Sequence, residues 1–191
     1  MGRYAVNSAL NGPSSRYSVR LARPTSDLAE KIDDLTHTVR AHDGASPFSE
    51  QTLVELRRAA QNSEDATDPV IVAAYDGEKL VGVAIATAPE DPDSTGTVEG
   101  TVLPEYRAGG VGRNIAEFLL GNEGLGDAAA QYRVWVHGSG ESAESKDYSA
   151  PLAAAHLAQV FGYTPVRELW KMRLELNPKT CLLYTSDAAD E

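Results

Sequence analysis

The sequence predicts an α/β protein of the α+β type, with a mixed central sheet and helices on both of its faces. Apolar runs with strand and helix periods follow one another in the order β-α-α-β-β-β-α-β-α-β. Because strands come in succession with few helices between them, the sheet is expected to be mixed rather than purely parallel. The length of 191 residues is enough for one domain with a buried core.

The first strand and the first helix follow from alternation and from a capping residue. In the stretch YSVRLARP, Val19 and Leu21 would face inward, and Pro24 would end the strand. Thr25 or Ser26 is then expected to cap a helix. The apolar face of this helix consists of residues at helical spacing, namely Leu28, Ile32 and Leu35.

A second helix is expected after a proline-containing loop. Ser46 is predicted as its N-cap, with Pro47 at the first helical position, where the missing N–H is not needed. Leu53 and Leu56 then give this helix a buried stripe.

A hairpin is the clearest strand pattern in the sequence. Two β-rich runs within residues 69–88 flank Asp76-Gly77, a dipeptide typical of two-residue turns. A further strand is expected over residues 96–103. After a glycine-containing turn, the next helix buries residues that share one face, namely Val111, Ile115, Phe118 and Leu119.

The C-terminal part predicts a strand, a helix and a last strand. Residues 132–138 (YRVWVHG) form the strand, and Ser149 with Pro151 opens a helix over residues 150–161. The last strand, within residues 166–176, carries its apolar side chains on one side, namely Val166, Trp170, Met172, Leu174 and Leu176.

Composition argues against several functional classes. The formal net charge of -11 argues against nucleic acid as a partner, because binding to the phosphate backbone requires clustered Lys and Arg. No segment reaches membrane-spanning length, and the N-terminus lacks the pattern of a secretory signal. We therefore expect a cytoplasmic protein that binds neither nucleic acid nor a membrane.

The thiol and imidazole side chains indicate neither a disulfide nor a metal site. Cys181 is the single cysteine of the chain. The histidines lack the spacing of metal ligands, and they are His37, His42, His137 and His156. We expect no bound metal.

The stretch LPEYRAGGVGRNIAEFLL places glycines between a strand and a helix. A dinucleotide fingerprint fails here because Ile115 stands where its third glycine is required. A P-loop fails because Arg113 follows Gly112. What remains is Arg-x-x-Gly-x-Gly, formed by Arg107, Gly110 and Gly112. Successive N–H groups at a helix start suit a pyrophosphate, and a plain left-handed turn is the alternative.

This pattern resembles the acyl-CoA-binding motif of the GNAT N-acyltransferases, Arg/Gln-x-x-Gly-x-Gly/Ala after the fourth strand, and the element order matches that fold. The resemblance implies a mostly antiparallel mixed sheet and acetyl-CoA as co-substrate. It also implies that the strand before the motif splays from its neighbour, so that its backbone pairs with the pantetheine arm at Gly100, Thr101 and Val102. The pyrophosphate would lie on the backbone of successive residues, namely Arg107, Ala108, Gly109, Gly110, Val111 and Gly112.

One tandem member of this family is similar to the chain over about residues 18–176. The similar stretches match its N-terminal half in order: HDGASPFSEQTLVEL, VEGTVLPEYRAGGVG, VWVHG and FGYTPVRELWKMRLEL. The similarity implies a small aminosugar–cysteine substrate whose amine is acetylated. It also implies a second GNAT domain in the full-length parent, and catalysis in the tandem member is assigned to that domain.

We therefore divide the chain into a loose leader (residues 1–17), a GNAT acyl-CoA-binding domain (residues 18–178) and a non-native-looking tail (residues 179–191). The stretch CLLYTSDAADE at the end shows no helical or strand period. It matches the in-frame translation of a transposon-end sequencing adapter along its whole length. The natural gene is expected to continue beyond Thr180, and Cys181 should carry no function.

Acetyl transfer requires a base for the ammonium group and an acid for the leaving thiolate. Glu99, on the strand before the motif, is the candidate base, and a structural carboxylate is the alternative. The family's usual acid is a tyrosine in N-x-x-A-x-x-x-Y-x-x-x-G-F. Aligning Gly162-Tyr163 with the final Gly-Phe puts Ala158 at the tyrosine position. Since Ala158 has no proton to donate, the acid of the family is lost while the CoA motif is kept.

Two further residues have functional and structural interpretations. Glu50 matches an acidic position that the family uses toward the aminosugar substrate, but it could equally cap its helix. His137 follows a strand and either lies near the cofactor or is structural. Two classes of function therefore stay open. One is an acetyl-CoA-dependent N-acetyltransferase, within the tandem protein or alone on another amine, and the other is a non-catalytic acetyl-CoA-binding module.

Overall fold

The computed structural model describes residues 16–61, 69–89, 94–121, 125, 131–136 and 149–167, leaving out the side chains of residues 149–153. The strands are β1 (Ser18–Ala22), β2 (Val70–Asp76), β3 (Lys79–Thr87), β4 (Gly96–Val102) and β5 (Tyr132–Val134). The α-helices are α1 (Ser26–Asp43), α2 (Glu50–Gln61), α3 (Val111–Leu120) and α4 (Ser149–Val160), and a 3₁₀ turn spans Pro104–Tyr106. No helix among the described residues has both the length and the apolar character needed to cross a bilayer.

The strands form one sheet in the order β1-β2-β3-β4-β5. The pairings β1–β2, β2–β3 and β3–β4 are antiparallel, and β4–β5 is parallel. The predicted mixed, mostly antiparallel sheet is confirmed. The parallel pairing runs only from Gly96↔Tyr132 to Val98↔Val134 and so involves less than half of β4.

Helices cover both faces of the sheet, as predicted. One core cluster joins α1 and α2 to the sheet and includes Ile32, Leu56 and Ile71. The opposite cluster includes Val72 from β2 and Ile115 from α3. Because successive strand residues point to opposite faces, the continuous apolar run of β2 supplies both clusters.

Helix α1 begins as the sequence predicts. Thr25 is its N-cap, and its Oγ1 accepts a hydrogen bond from the Leu28 N–H at 3.2 Å. The predicted apolar face is buried against the sheet, and Gly44 ends the helix at φ 74°.

The predicted start of α2 is wrong by one short turn. The helix begins at Glu50, and Ser49 takes the capping role because its Oγ accepts the Thr52 N–H at 3.1 Å. Ser46 instead closes a local turn with Phe48, since its Oγ donates to the Phe48 carbonyl at 2.8 Å. Phe48 is buried in the core, so the chain must turn inward there before the helix can start.

The hairpin forms where it was predicted, with a shift in its turn. Asp76 pairs with Lys79, so the connecting residues are Gly77 and Glu78 rather than Asp76 and Gly77. Gly77 adopts φ 63°, a conformation that favours glycine. The predicted last strand falls almost wholly on residues 168–176, which lie outside the described residues, as does the tail.

Candidate functional site

The pairing of β4 with β5 ends at Val98, and we call the unpaired side of β4 beyond this residue the gap. The Trp135 N–H donates to the Val98 carbonyl at 3.0 Å, and among the described residues this is the last bond between the two chain segments. Within the described part of the chain, β4 continues from there to Val102 with β3 as its one strand partner. Gly100, inside the sheet, is therefore exposed to solvent. A pairing that ends at this point is what the splay implied by the family resemblance requires, and the splay itself stays a prediction.

The phase of the β3–β4 ladder decides which backbone groups of β4 face this gap. The Leu103 N–H donates to the Val81 carbonyl on β3 at 2.9 Å. Backbone direction alternates along a strand, so Thr101 also turns its N–H and carbonyl toward β3. Gly100 and Val102 turn theirs toward the gap. Of the predicted pantetheine contacts, Thr101 is thus the one whose backbone faces away.

The glycine turn follows directly at the end of β4. After the 3₁₀ turn, Ala108 adopts φ 59° and Gly110 adopts φ 84°, and α3 then starts. The first helical bond runs from the Asn114 N–H to the Gly110 carbonyl at 3.0 Å. The N–H groups of residues 110–113 precede this first bond and therefore have no partner within the helix. The turn therefore presents a row of N–H donors at a helix N-terminus, where an anion is stabilised.

The two motif glycines differ in backbone conformation and in surroundings. Gly110 needs its left-handed conformation, and a Cβ there would meet nothing within 4 Å. Gly112 has no such backbone requirement, and a Cβ there would lie 3.6 Å from Leu157 on α4 and 3.7 Å from Val102. A methyl group at Gly112 would therefore make ordinary van der Waals contacts with side chains of β4 and α4.

The guanidinium group of Arg107, the first residue of the motif, donates three hydrogen bonds. Its Nε donates to the Val102 carbonyl at 3.0 Å, and its terminal nitrogens donate to the two oxygens of Asp43 at 2.9 and 2.6 Å. His42 Nδ1 lies 2.7 Å from Asp43 Oδ1. Burial would raise the pKa of Asp43, but the hydrogen bonds from Arg107 and His42 lower it below its ordinary value. The Arg107 side chain therefore ties the turn to the end of α1.

Sequence reasoning missed Asp43. It is the last residue of α1, and it lies 64 positions before its partner in the chain. Nothing local in the sequence distinguishes it from the other acidic residues on α1.

Glu99, the candidate base, points to the face of β4 opposite Val98 and toward α2. It is only 4% exposed. Its carboxylate accepts the Ser49 N–H at 3.2 Å from each oxygen and the Thr52 hydroxyl at 2.5 Å. The Ser49 hydroxyl lies 3.3 Å from the same carboxylate. The first turn of α2 thus occupies both oxygens, and these contacts support the structural alternative for Glu99.

The remaining predicted residues lie around the same elements. Glu50 is exposed at the first position of α2. Ala158 lies on α4, and its carbonyl accepts the Tyr163 N–H at 3.0 Å. Burial, with a smaller effect of Tyr132, raises the pKa of the Tyr163 hydroxyl. His137 lies outside the described residues. Within the part of the chain that the structure describes, no group of His, Cys, Asp and Glu is arranged to hold a metal ion.

Comparisons with known proteins relate the chain to one group of enzymes. No protein-family model matches it. Mycothiol acetyltransferase from Rothia mucilaginosa is 39% identical over 166 residues, which cover 86% of this chain and 45% of that protein. Mycothiol acetyltransferase from Paenarthrobacter aurescens is 39% identical over 154 residues, which cover 78% and 42%. The chain thus spans less than half the length of these relatives.

A solved structure matches the fold. The crystal structure of a GNAT-family acetyltransferase from Streptococcus pneumoniae superposes with a TM-score of 0.54 at 16% identity, covering 76% of this chain and 83% of that one. At this level of identity the likeness concerns the fold alone, so the chain has a GNAT fold.

Proposed function

The chain is a member of an acetyltransferase family with the GNAT fold, related to the mycothiol acetyltransferases, and we propose that it binds acetyl-CoA beside β4. One observation carries this proposal. The unpaired side of β4 and the N–H groups at the start of α3 adjoin each other, since a Cβ at Gly112 would lie 3.7 Å from Val102. An extended amide chain that ends in a pyrophosphate has the complementary shape and hydrogen-bonding groups.

The bound molecule would use the backbone rather than charged side chains. The pantetheine amides would pair with the gap-facing groups of Gly100 and with the Val102 N–H, since Arg107 already occupies the Val102 carbonyl. The pyrophosphate would accept hydrogen bonds from the N–H groups of residues 108–113. Backbone N–H groups at a helix start bind phosphate without a local cationic side chain. A chain with a formal net charge of -11 can therefore still hold an anionic ligand.

For the whole protein, we propose N-acetylation of the cysteinyl amine of cysteinyl-glucosaminyl-inositol in mycothiol biosynthesis. In this reaction the amine nitrogen attacks the acetyl carbonyl carbon, the C–S bond breaks, and the thiolate of CoA takes up a proton. The ammonium proton must pass to a base before the attack. This chain would be the N-terminal GNAT portion of such a protein, with a second GNAT domain completing it. A stand-alone N-acetyltransferase acting on another amine would use the same acetyl-CoA site.

A second candidate function is a non-catalytic acetyl-CoA-binding module. Two observations favour it. The family resemblance puts Ala158 at the position of the tyrosine acid, and Glu99 is bonded to the first turn of α2. Neither of these two predicted positions therefore offers a side chain for proton transfer, whereas the unpaired side of β4 and the glycine turn remain suited to acetyl-CoA.

Calorimetric titration of acetyl-CoA into matched glycine variants tests the binding proposal. Gly110→Val would impose left-handed strain and place a bulky group beside the N–H row. Gly162→Val is the control, because Gly162 has φ 82° against 84° for Gly110, and a Cβ at either glycine would meet nothing within 4 Å. Both variants should lose about 1–3 kcal/mol of stability, and only Gly110→Val should lose acetyl-CoA binding. Equal affinities for the wild type and Gly110→Val would contradict the proposal.

A further inference from the structure

We propose that Asp43 is a positioning residue that holds the glycine turn in its anion-binding conformation through Arg107. The inference rests on the proposed acetyl-CoA function of that turn. Asp43 would touch no part of the ligand and would act only through the guanidinium group of Arg107.

The side chain of Arg107 forms hydrogen bonds to two other segments of the chain, the end of α1 and the end of β4. One edge of its guanidinium contacts both oxygens of Asp43 at the end of α1. Its Nε contacts the Val102 carbonyl at the end of β4. The planar fork of arginine can make these contacts together, whereas lysine offers only a point charge. The backbone of Arg107 is therefore fixed relative to both α1 and β4.

The turn needs such an anchor because its own conformation is unfavourable. Ala108 is the only non-glycine residue with positive φ among the described residues. Strained backbone of this kind persists only where the surrounding structure enforces it. Arg107 anchors the chain just before Ala108, and Val111, only 1% exposed, anchors it just after Gly110. Without the first anchor, the turn can relax away from the arrangement that aligns its N–H groups.

The direction in which acetyl-CoA affinity changes when Asp43 is replaced distinguishes a positioning role from a general electrostatic effect. Acetyl-CoA is a polyanion, so removing a nearby negative charge strengthens its binding if only the summed field matters. Freeing Arg107 to reach a phosphate would strengthen binding as well. Loss of positioning has the opposite effect, because affinity falls in proportion to the population of the competent turn.

The test compares Asp43→Asn with Asp33→Asn by calorimetric titration of acetyl-CoA. Asp33 accepts from Arg57 at 2.9 and 3.0 Å, and its side chain is 35% exposed against 33% for Asp43. This control pair joins α1 to α2 rather than to the turn. If the turn is competent about one tenth of the time in Asp43→Asn, acetyl-CoA should bind about tenfold more weakly to it. Asp33→Asn should match the wild type.

Amide hydrogen exchange without ligand supplies a second readout. The N–H groups of residue 107 and of Asn114 flank the turn and are bonded to the carbonyls of Pro104 and Gly110. Their exchange should accelerate in Asp43→Asn and in Arg107→Lys, but not in Asp33→Asn. Arg107→Lys also serves if Asp43→Asn does not fold, and it should weaken acetyl-CoA binding in the same way. Unchanged or tighter binding in Asp43→Asn, or equal weakening in Asp33→Asn, would overturn the inference. If the wild type binds no acetyl-CoA, the proposed function itself fails.

Discussion

Replacing Glu99 tests how the sheet holds the N-terminus of α2. Glu99→Gln keeps the size of the side chain and removes its charge. The carboxylate now accepts charge-assisted bonds from the Ser49 N–H and the Thr52 hydroxyl, and it faces the positive end of the helix. The amide would keep one acceptor oxygen and turn an NH₂ group toward one of these donors.

The expected loss follows from these contacts. Charge-assisted hydrogen bonds are roughly twice as strong as neutral ones, and a hydrogen bond to a charged group contributes about 1.5–3 kcal/mol. A negative charge at a helix N-terminus adds about 0.3–1 kcal/mol, and more when it is partly buried. Weakening two bonds and removing the charge should therefore cost about 2 kcal/mol. Glu99→Ala, which leaves the buried Thr52 hydroxyl and the part-buried Ser49 N–H without this acceptor, should cost about 2–4 kcal/mol.

Urea denaturation, with the free energy of unfolding taken from midpoint and slope, measures both losses. Glu50→Gln is the matched control, because Glu50 lies at the same helix end but is exposed, and losing its charge should cost no more than about 0.3–1 kcal/mol. If Glu99→Gln unfolds like the wild type, the carboxylate does not hold α2 and the structural interpretation fails. A catalytic base would instead give a variant of normal stability that has lost turnover.

Three further predictions concern chemistry, the tail and pH. General acid catalysis typically raises a reaction rate about 10²–10⁴-fold, and Ala158 cannot act as an acid. This chain alone should therefore release thiol from acetyl-CoA slowly or not at all when the cysteinyl aminosugar is supplied. Turnover of about 1–10³ s⁻¹ would exclude the binding-module alternative. Deleting residues 181–191 should change stability by no more than about 0.5 kcal/mol, and a fall of many degrees in melting temperature would show that they belong to the fold. The lowered pKa of Asp43 means that its stabilising effect is present above the ordinary value of 3.8 and is lost as pH falls through the lowered value. The stability difference between the wild type and Asp43→Asn, measured by urea denaturation, should therefore shrink below about pH 4, and a constant difference would contradict this reasoning.

Local patterns in the sequence predicted most of the described helices and strands and the position of the glycine turn. Thr25 caps α1 through a bond to Leu28 three residues away, and α3 buries the face that its apolar spacing predicts. Gly110 is recognisable because its requirement for positive φ arises within the turn itself. The splay of β4 was predicted from the family resemblance rather than from the residues alone. The cap of α1, the buried face of α3 and the conformation of Gly110 depend on interactions within a few residues, and spacing in the sequence reflects such interactions directly.

Contacts between distant segments were decided only by the tertiary structure. Ser49 rather than Ser46 caps α2, where the buried carboxylate of Glu99 meets the first turn of the helix from another element. Asp43 acquires its partner because the end of α1 packs beside the glycine turn. The ladder with β3 determines that Gly100, and not Thr101, opens its backbone to the gap. A single sequence shows that a carboxylate or a backbone group is present, but its partner depends on how the chain packs in three dimensions.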